Sequence, residues 1–265
     1  MDLGLADARV VVTGGASNIG RGIVHAFAAE GARIVISDID GPQAEKVRAE
    51  ATELGASEVN VVIADLTTPG AAEEAVGGAQ TAWGGLDVLV NNAGWSVPGF
   101  IASDTDRDKW QRTIEINLFT TIAATQAAIP AMKEAGGGAI VFIASDAAFG
   151  QIRQGVYGAS KAAMVALART TARDHGRHGI RSNVVCPGLV IPEGPEAIGA
   201  SSLWAVGQDA VFDQNQIDFM LKDTPLRRLT TAEDIGRAVV WFSSPRAARQ
   251  VTGQLISVSG GYTMP

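Results

Sequence analysis

Short apolar runs alternate with longer stretches whose apolar positions recur at helical spacing along most of the chain. The runs 9–13 (RVVVT), 33–37 (RIVIS), 59–64 (VNVVIA), 86–90 (LDVLV), 139–144 (AIVFIA), 180–185 and 254–258 (QLISV) predict buried strands. The intervals predict helices: one carrying Ile23, Ala26, Phe27 and Ala28 and ending at Gly31, then 42–54, then 69–83 with Thr68 as its N-cap. A single long helix is expected over 104–134, stopped by Gly136, Gly137 and Gly138. Another carries Tyr157 and runs to about Arg177, and a last one ends at Ser243, capped by Thr231 with Glu233 loosely spaced as its box partner. Repeated strand–helix units of this kind predict an α/β fold, a doubly wound parallel β-sheet of about seven strands with helices on both faces.

Such sheets bind ligands at the carboxyl ends of their strands. That is where the unusual residues fall: Gly14, Asp38, Asp65, Asn92, Ser145 and Pro187. The first strand breaks into a glycine-rich turn, 14–22 (GGASNIGRG), and a helix follows. Backbone N–H groups and a helix N-terminus could there approach a pyrophosphate; an ordinary tight connection is the alternative. Asp38, 18 residues after Gly20, favours the first. An acid so placed accepts from the adenosine ribose hydroxyls and repels a 2′-phosphate, and no Arg or Lys lies in 14–18 or directly after Asp38. NAD is therefore expected rather than NADP. The rhythm lapses over 189–223, where Leu203, Trp204, Val211, Phe212 and Phe219 are interleaved with Asp209, Asp213 and Asp218. One or two amphipathic helices are expected, forming a substrate lid or packing peripherally.

Composition narrows the function classes. With 265 residues, 46% hydrophobic and 18% charged, the chain can bury a sizeable core, and no linker or repeat divides it, so a single domain is expected. A net charge of −7 (21 − 28) without a basic run argues against nucleic acid and anionic membrane as partners. The start of the chain shows no signal-peptide pattern, and no window reaches the roughly 18 uninterrupted apolar residues of a membrane span. Cys186 is the only cysteine, in an apolar setting that suits a buried thiol better than a nucleophile. A cytoplasmic protein is expected. His25, His175 and His178 with one cysteine suggest no metal site.

Tyr157 and Lys161 are four apart, one above the other on a helix. An ammonium beside a phenol favours the phenolate, so the tyrosine pKa is expected to fall toward the working pH and its hydroxyl to shuttle a proton. Such pairs also occur by chance on solvated helix surfaces. Ser145, at a strand end, could donate to a substrate oxygen.

Taken in order, Thr13-Gly14-x-x-x-Asn18-x-Gly20, Asp65, Asn91-Asn92-Ala93-Gly94, Asn117, Ser145, Tyr157-x-x-x-Lys161 and Pro187-Gly188 resemble the classical short-chain dehydrogenase/reductase family over nearly the whole chain. The resemblance implies a Rossmann-type oxidoreductase with a nicotinamide cofactor. It implies a catalytic tetrad: Tyr157 as general acid/base, Lys161 tuning it, Ser145 bonding the substrate oxygen, and Asn117 holding a water toward Lys161. Implied cofactor contacts are Gly14, Ser17, Asn18, Ile19 and Gly20 in the turn, Asp38, and Asp65 with Leu66. Further contacts are Asn92, Ala93 and Gly94, the pair Tyr157 and Lys161, and Pro187, Gly188 and the backbone of Val190. Asn18 stands where the family usually has glycine, and asparagine tolerates positive φ best among the others. The expected reaction interconverts a secondary alcohol and a ketone. An apolar or alicyclic substrate fits Trp95, Phe149, Ile152, Trp204 and Phe212, with Arg153 either meeting a carboxylate or solvated. A 3-oxoacyl-thioester reductase and a catalytically idle nucleotide-binding sensor are the alternatives. A homo-oligomer, dimer or tetramer, is implied; the alanines at 123, 124, 127, 162, 163 and 166 suit close helix contact or burial against the sheet.

Overall fold

The computed structural model describes residues 1–206 and 213–265, so Asp209, Val211 and Phe212 of the expected lid lie outside the described residues. Its strands are β1 (Arg9–Thr13), β2 (Arg33–Asp38), β3 (Glu58–Ile63), β4 (Val88–Asn91), β5 (Gly138–Ile143), β6 (Ile180–Pro187) and β7 (Leu255–Val258). They form one parallel sheet in the order β3-β2-β1-β4-β5-β6-β7. The order reverses direction at β1, which pairs with β2 on one side and β4 on the other. This switch point opens a crevice at the carboxyl ends, as the sequence leads one to expect.

The helices are α1 (Asn18–Ala29), α2 (Gly41–Glu53), α3 (Ala71–Trp83), α4 (Arg107–Ile114), α5 (Thr120–Glu134), α6 (Gly155–His175), α7 (Gln214–Asp223) and α8 (Ala232–Ser243). They cover both faces. The period of two along β1 divides the core: Val10 and Val12 pack with Ile34, Phe27 and Phe242 on one face, and Val11 with Val35, Phe142 and Met164 on the other. All of these side chains are fully buried. At the α1–α8 crossing, a Cβ on Gly22 would sit 2.6 Å from the Ala232 backbone, so only glycine lets the helices approach this closely.

Three local expectations need correction. The helix expected over 104–134 is interrupted: α4 and α5 are joined by a π-helical stretch, Glu115–Phe119, with Asn117 at its centre. The hydroxyls of Thr113, Thr120 and Thr121 donate to carbonyls four residues back, around this widened turn. Thr68 does not cap α3. Gly70 does, at φ 86°, and the Thr68 carbonyl accepts from Ala71 N instead. The capping box of α8 pairs Thr231 with Asp234, not Glu233, because Asp234 stands at the third helical position. Over 189–223 the structure shows two single-turn 3-10 helices, Pro195–Ala197 and Leu203–Val206, and then α7.

Candidate active site

A cleft of about 1070 Å³ runs along the carboxyl edge of the sheet, from Asp38 and Asp65 at one end to Ser145, Tyr157 and Lys161 at the other. The turn between β1 and α1 forms its floor. Gly14 has φ 61° and Asn18 φ 41°, so asparagine holds the left-handed conformation there. Thr13 Oγ1 accepts from Asn92 N and Ala93 N, and Asn92 Nδ2 donates to the carbonyls of Thr13 and Gly14. These bonds clamp the end of β4 to the turn. A Cβ on Gly20 would run into the Gly14 carbonyl oxygen, and one on Gly14 would lie 2.9 Å from Ala93 Cα. The first turn of α1 carries no acidic residue. Its leading N–H groups have no partner within the helix. Ser17, Asn18, Ile19 and Gly20 all line the cleft. This bare cradle, with an acid at the end of the next strand, fits a dinucleotide.

Asp38 Oδ2 accepts from Ala16 N and Oδ1 from Asp40 N. Burial pushes its carboxyl above the ordinary value, and the N–H bonds oppose that push. Asp65 and Leu66 also line the cleft, with Asp65 Oδ1 accepting from Thr67 N and Oγ1. Ala93, Gly94, Pro187 and Gly188 complete the wall. Val190 stands apart: it is buried and does not line the cleft, and its carbonyl accepts from Asn18 Nδ2 at 3.2 Å.

At the far end, β5 delivers Ser145, whose Oγ accepts from Ala147 N and caps a short turn, Asp146–Phe149. Tyr157 sits in the first turn of α6, with its hydroxyl against that of Ser145. Lys161 lies one turn on, buried, donating from Nζ to the Ile143 carbonyl at 2.9 Å and standing 5.8 Å from the Tyr157 ring centroid. The pKa expectation needs revision. Burial raises the Tyr157 pKa above its ordinary value, opposed by the contact with Ser145. Burial also lowers Lys161 to about 8. Spacing in a sequence shows that a cation is near, but desolvation of both groups outweighs it.

Asn117, fully buried, has its side chain committed within the protein. Oδ1 accepts from Trp95 N, while Nδ2 donates to Trp95 O and to Ser160 Oγ, which donates in turn to the Tyr157 carbonyl. The amide thus braces the 95 loop and the first turn of α6 against each other. A Cβ on Gly94 would lie 3.2 Å from Lys161 Nζ and 3.3 Å from Asn117 Oδ1. Asn117 and Lys161 therefore meet beside Gly94.

Sequence reasoning missed Ser160, Arg112 and Asp146. Ser160 carries no signal beyond its place beside Lys161. Arg112, exposed, stacks over the Trp95 ring at 4.9 Å, and both line the cleft. Asp146 is buried against Ser257 Oγ. Arg153, at φ 65°, lies 5.6 Å from the Phe100 ring. Cys186 is buried, its thiol pushed up to about 12. Among the described residues there is no His/Cys/Asp/Glu group that could hold a metal, and no helix is long and apolar enough to cross a membrane.

Comparison with known proteins agrees with this geometry. A family model described as enoyl-(acyl carrier protein) reductase matches residues 14–263. The chain is 34% identical to the (2S)-[(R)-hydroxy(phenyl)methyl]succinyl-CoA dehydrogenase subunit BbsD of Thauera aromatica, covering 99% of each chain. It is 33% identical to 7alpha-hydroxysteroid dehydrogenase of Escherichia coli, covering 95% of this chain and 92% of that one. A solved structure of 7 alpha-hydroxysteroid dehydrogenase with NADH and 7-oxo glycochenodeoxycholic acid superposes with a TM-score of 0.88 at 33% identity, covering 98% of this chain and 96% of that chain. On sequence, sheet order and site together, this chain belongs to the short-chain dehydrogenase/reductase family.

Proposed function

We propose that the protein is an NAD-dependent dehydrogenase that interconverts a secondary alcohol and its ketone. The observation that carries this reading is the meeting of Tyr157 and Ser145 hydroxyls in front of the buried Lys161, at one end of a cleft whose other end presents Asp38. A bound nicotinamide supplies a carbon that accepts or gives hydride. The chain's own residues manage the oxygen. Ser145 Oγ donates to the substrate oxygen and holds it beside Tyr157. In ketone reduction Tyr157 gives its proton to that oxygen; in alcohol oxidation it takes one. With its pKa raised by burial, Tyr157 holds its proton at neutral pH, so oxidation should quicken as pH rises until Lys161 loses its charge near pH 8. Lys161, cationic below about pH 8, stabilises the phenolate left when the proton departs. Asn117 keeps α6 and the 95 loop in register around them.

The substrate side is apolar. Gly99 N donates to the Arg153 carbonyl and Ser96 Oγ to Gln154 Oε1, joining the 95–101 and 149–154 loops. These loops leave Val97, Phe100, Phe149 and Ile152 exposed together. A bulky alicyclic or aromatic substrate suits this rim, in keeping with the names of the relatives above. Arg153, drawn toward Phe100, leaves a carboxylate contact without support. Segment 189–223 acts as the lid in this reading, since Ser201, Ser202, Leu203 and Trp204 line the cleft. The protein is a cytoplasmic homo-oligomer in this reading: Ala162 and Ala166 are exposed on α6, while Ala124 is buried.

The test is a panel of alicyclic and linear secondary alcohols followed by NADH absorbance, with NAD and NADP compared on the best substrate. Faster oxidation with NAD is expected. Faster oxidation with NADP would overturn the reading of Asp38, and no turnover across the panel would count against a secondary-alcohol substrate.

A further inference from the structure

After Gly188 the chain crosses the mouth of the cleft toward its ribose end. Asn18 Nδ2 holds the Val190 carbonyl. Further on, Gln43 Nε2 and Lys46 Nζ donate to the Glu196 carbonyl at 3.1 and 2.9 Å. Gly199 N donates to Ser17 Oγ at 2.9 Å, and Ala200 N to Asp40 Oδ2 at 2.7 Å. The fit is close, because a Cβ on Gly199 would collide with the Asp40 carboxylate.

The two anchor points bracket Asp38. Its Oδ2 accepts from Ala16, the neighbour of Ser17, and its Oδ1 from Asp40 itself. The strap therefore passes beside the carboxylate that faces the adenosine ribose. Cations near this end are already engaged: Arg21 pairs with Glu50 at 2.7 Å, and Lys46 holds the strap.

We infer that residues 196–204 form a second selectivity element of the cofactor cleft, closing the space beyond Asp38 against a dinucleotide that carries a 2′-phosphate. The inference rests on the NAD reading above. Asp38 excludes the phosphate by charge, and the strap excludes it by position. Either barrier suffices alone. A 2′-phosphate would have to displace Ala200 from Asp40, and among the described residues it would find no uncommitted cation there in return.

The test uses Asp38→Ser, Asp40→Ser and the double variant. Serine at 40 still caps α2 but is too short to hold Ala200 as well. Gln43→Ala/Lys46→Ala, at a half-buried and an exposed position of α2, loosens the strap from its other side and guards against a folding defect in Asp40→Ser. In the protein without cofactor, backbone amide exchange at Gly199 and Ala200 should quicken at least about tenfold in Asp40→Ser. Titration calorimetry then gives dissociation constants for NAD and NADP. Each single variant should bind NADP only slightly better than wild type. The double variant should gain at least about tenfold more than the product of the singles, the coupling expected of two barriers in series. Additive gains, or strap amides that exchange equally fast in wild type and variants, would overturn the inference. Tighter wild-type binding of NADP than NAD would refute the reading of Asp38, and the amide exchange would still judge the strap.

Discussion

Lys161 shows how burial sets the chemistry at the scale of a single residue. Its ammonium is enclosed between β5 and α6 with the Ile143 carbonyl as partner, and its pKa falls from 10.5 to about 8. The unfolded chain then binds more protons than the folded one between those values. Stability from this group is therefore lowest while it is charged and rises with pH across the window. Relative to Lys161→Met, wild type should gain about 2 kcal/mol of unfolding free energy between about pH 7 and about pH 10. Chemical denaturation of both proteins at the two pH values measures this. A flat difference would mean that the lysine is as hydrated in the folded protein as in the unfolded chain. The sequence showed the Tyr157–Lys161 spacing plainly. It could not show the sign of the tyrosine shift, because desolvation depends on what the rest of the chain packs around the ring.

At the scale of elements, strand positions were legible because β-branched runs bounded by polar residues have few other uses, and all seven strands lie within two residues of expectation. The glycine turn was legible too, and its requirement is steric. Gly20→Ala puts a methyl group into the Gly14 carbonyl. It should weaken NADH binding at least about tenfold and cost about 1–3 kcal/mol of stability, read by fluorescence titration and denaturation. Full NADH affinity in that variant would show that the turn is not the phosphate cradle. The π-helical stretch at Asn117 was hidden, since one extra residue in a turn leaves the apolar pattern almost unchanged. The cap of α3 was misread because its signal is the backbone of Gly70, not a side chain. The strap was wholly invisible: its bonds join residues 150 to 182 apart, and each uses a backbone N–H or carbonyl of the strap, which carries no sequence signal.

Over the whole molecule, the sheet brings the two halves of the site together. The turn after β1 and the serine after β5 are 125 or more residues apart in sequence (145 − 20 = 125), yet they line one cleft because β4 alone separates the two strands. Strand order was legible as a class of topology, from right-handed crossovers and the family motifs. The side-chain bonds that turn edge residues into a site, such as Asn117 to Trp95 and Thr13 to Ala93, were not. The central claim is that this edge is a reaction centre and not only a nucleotide platform. Tyr157→Phe tests it most directly, since it removes one oxygen that faces Ser145 and leaves the cradle at the other end intact. Turnover of the best secondary alcohol should fall by about 10²–10⁴-fold, with the NADH dissociation constant changed less than about twofold. Undiminished turnover in Tyr157→Phe would contradict the account.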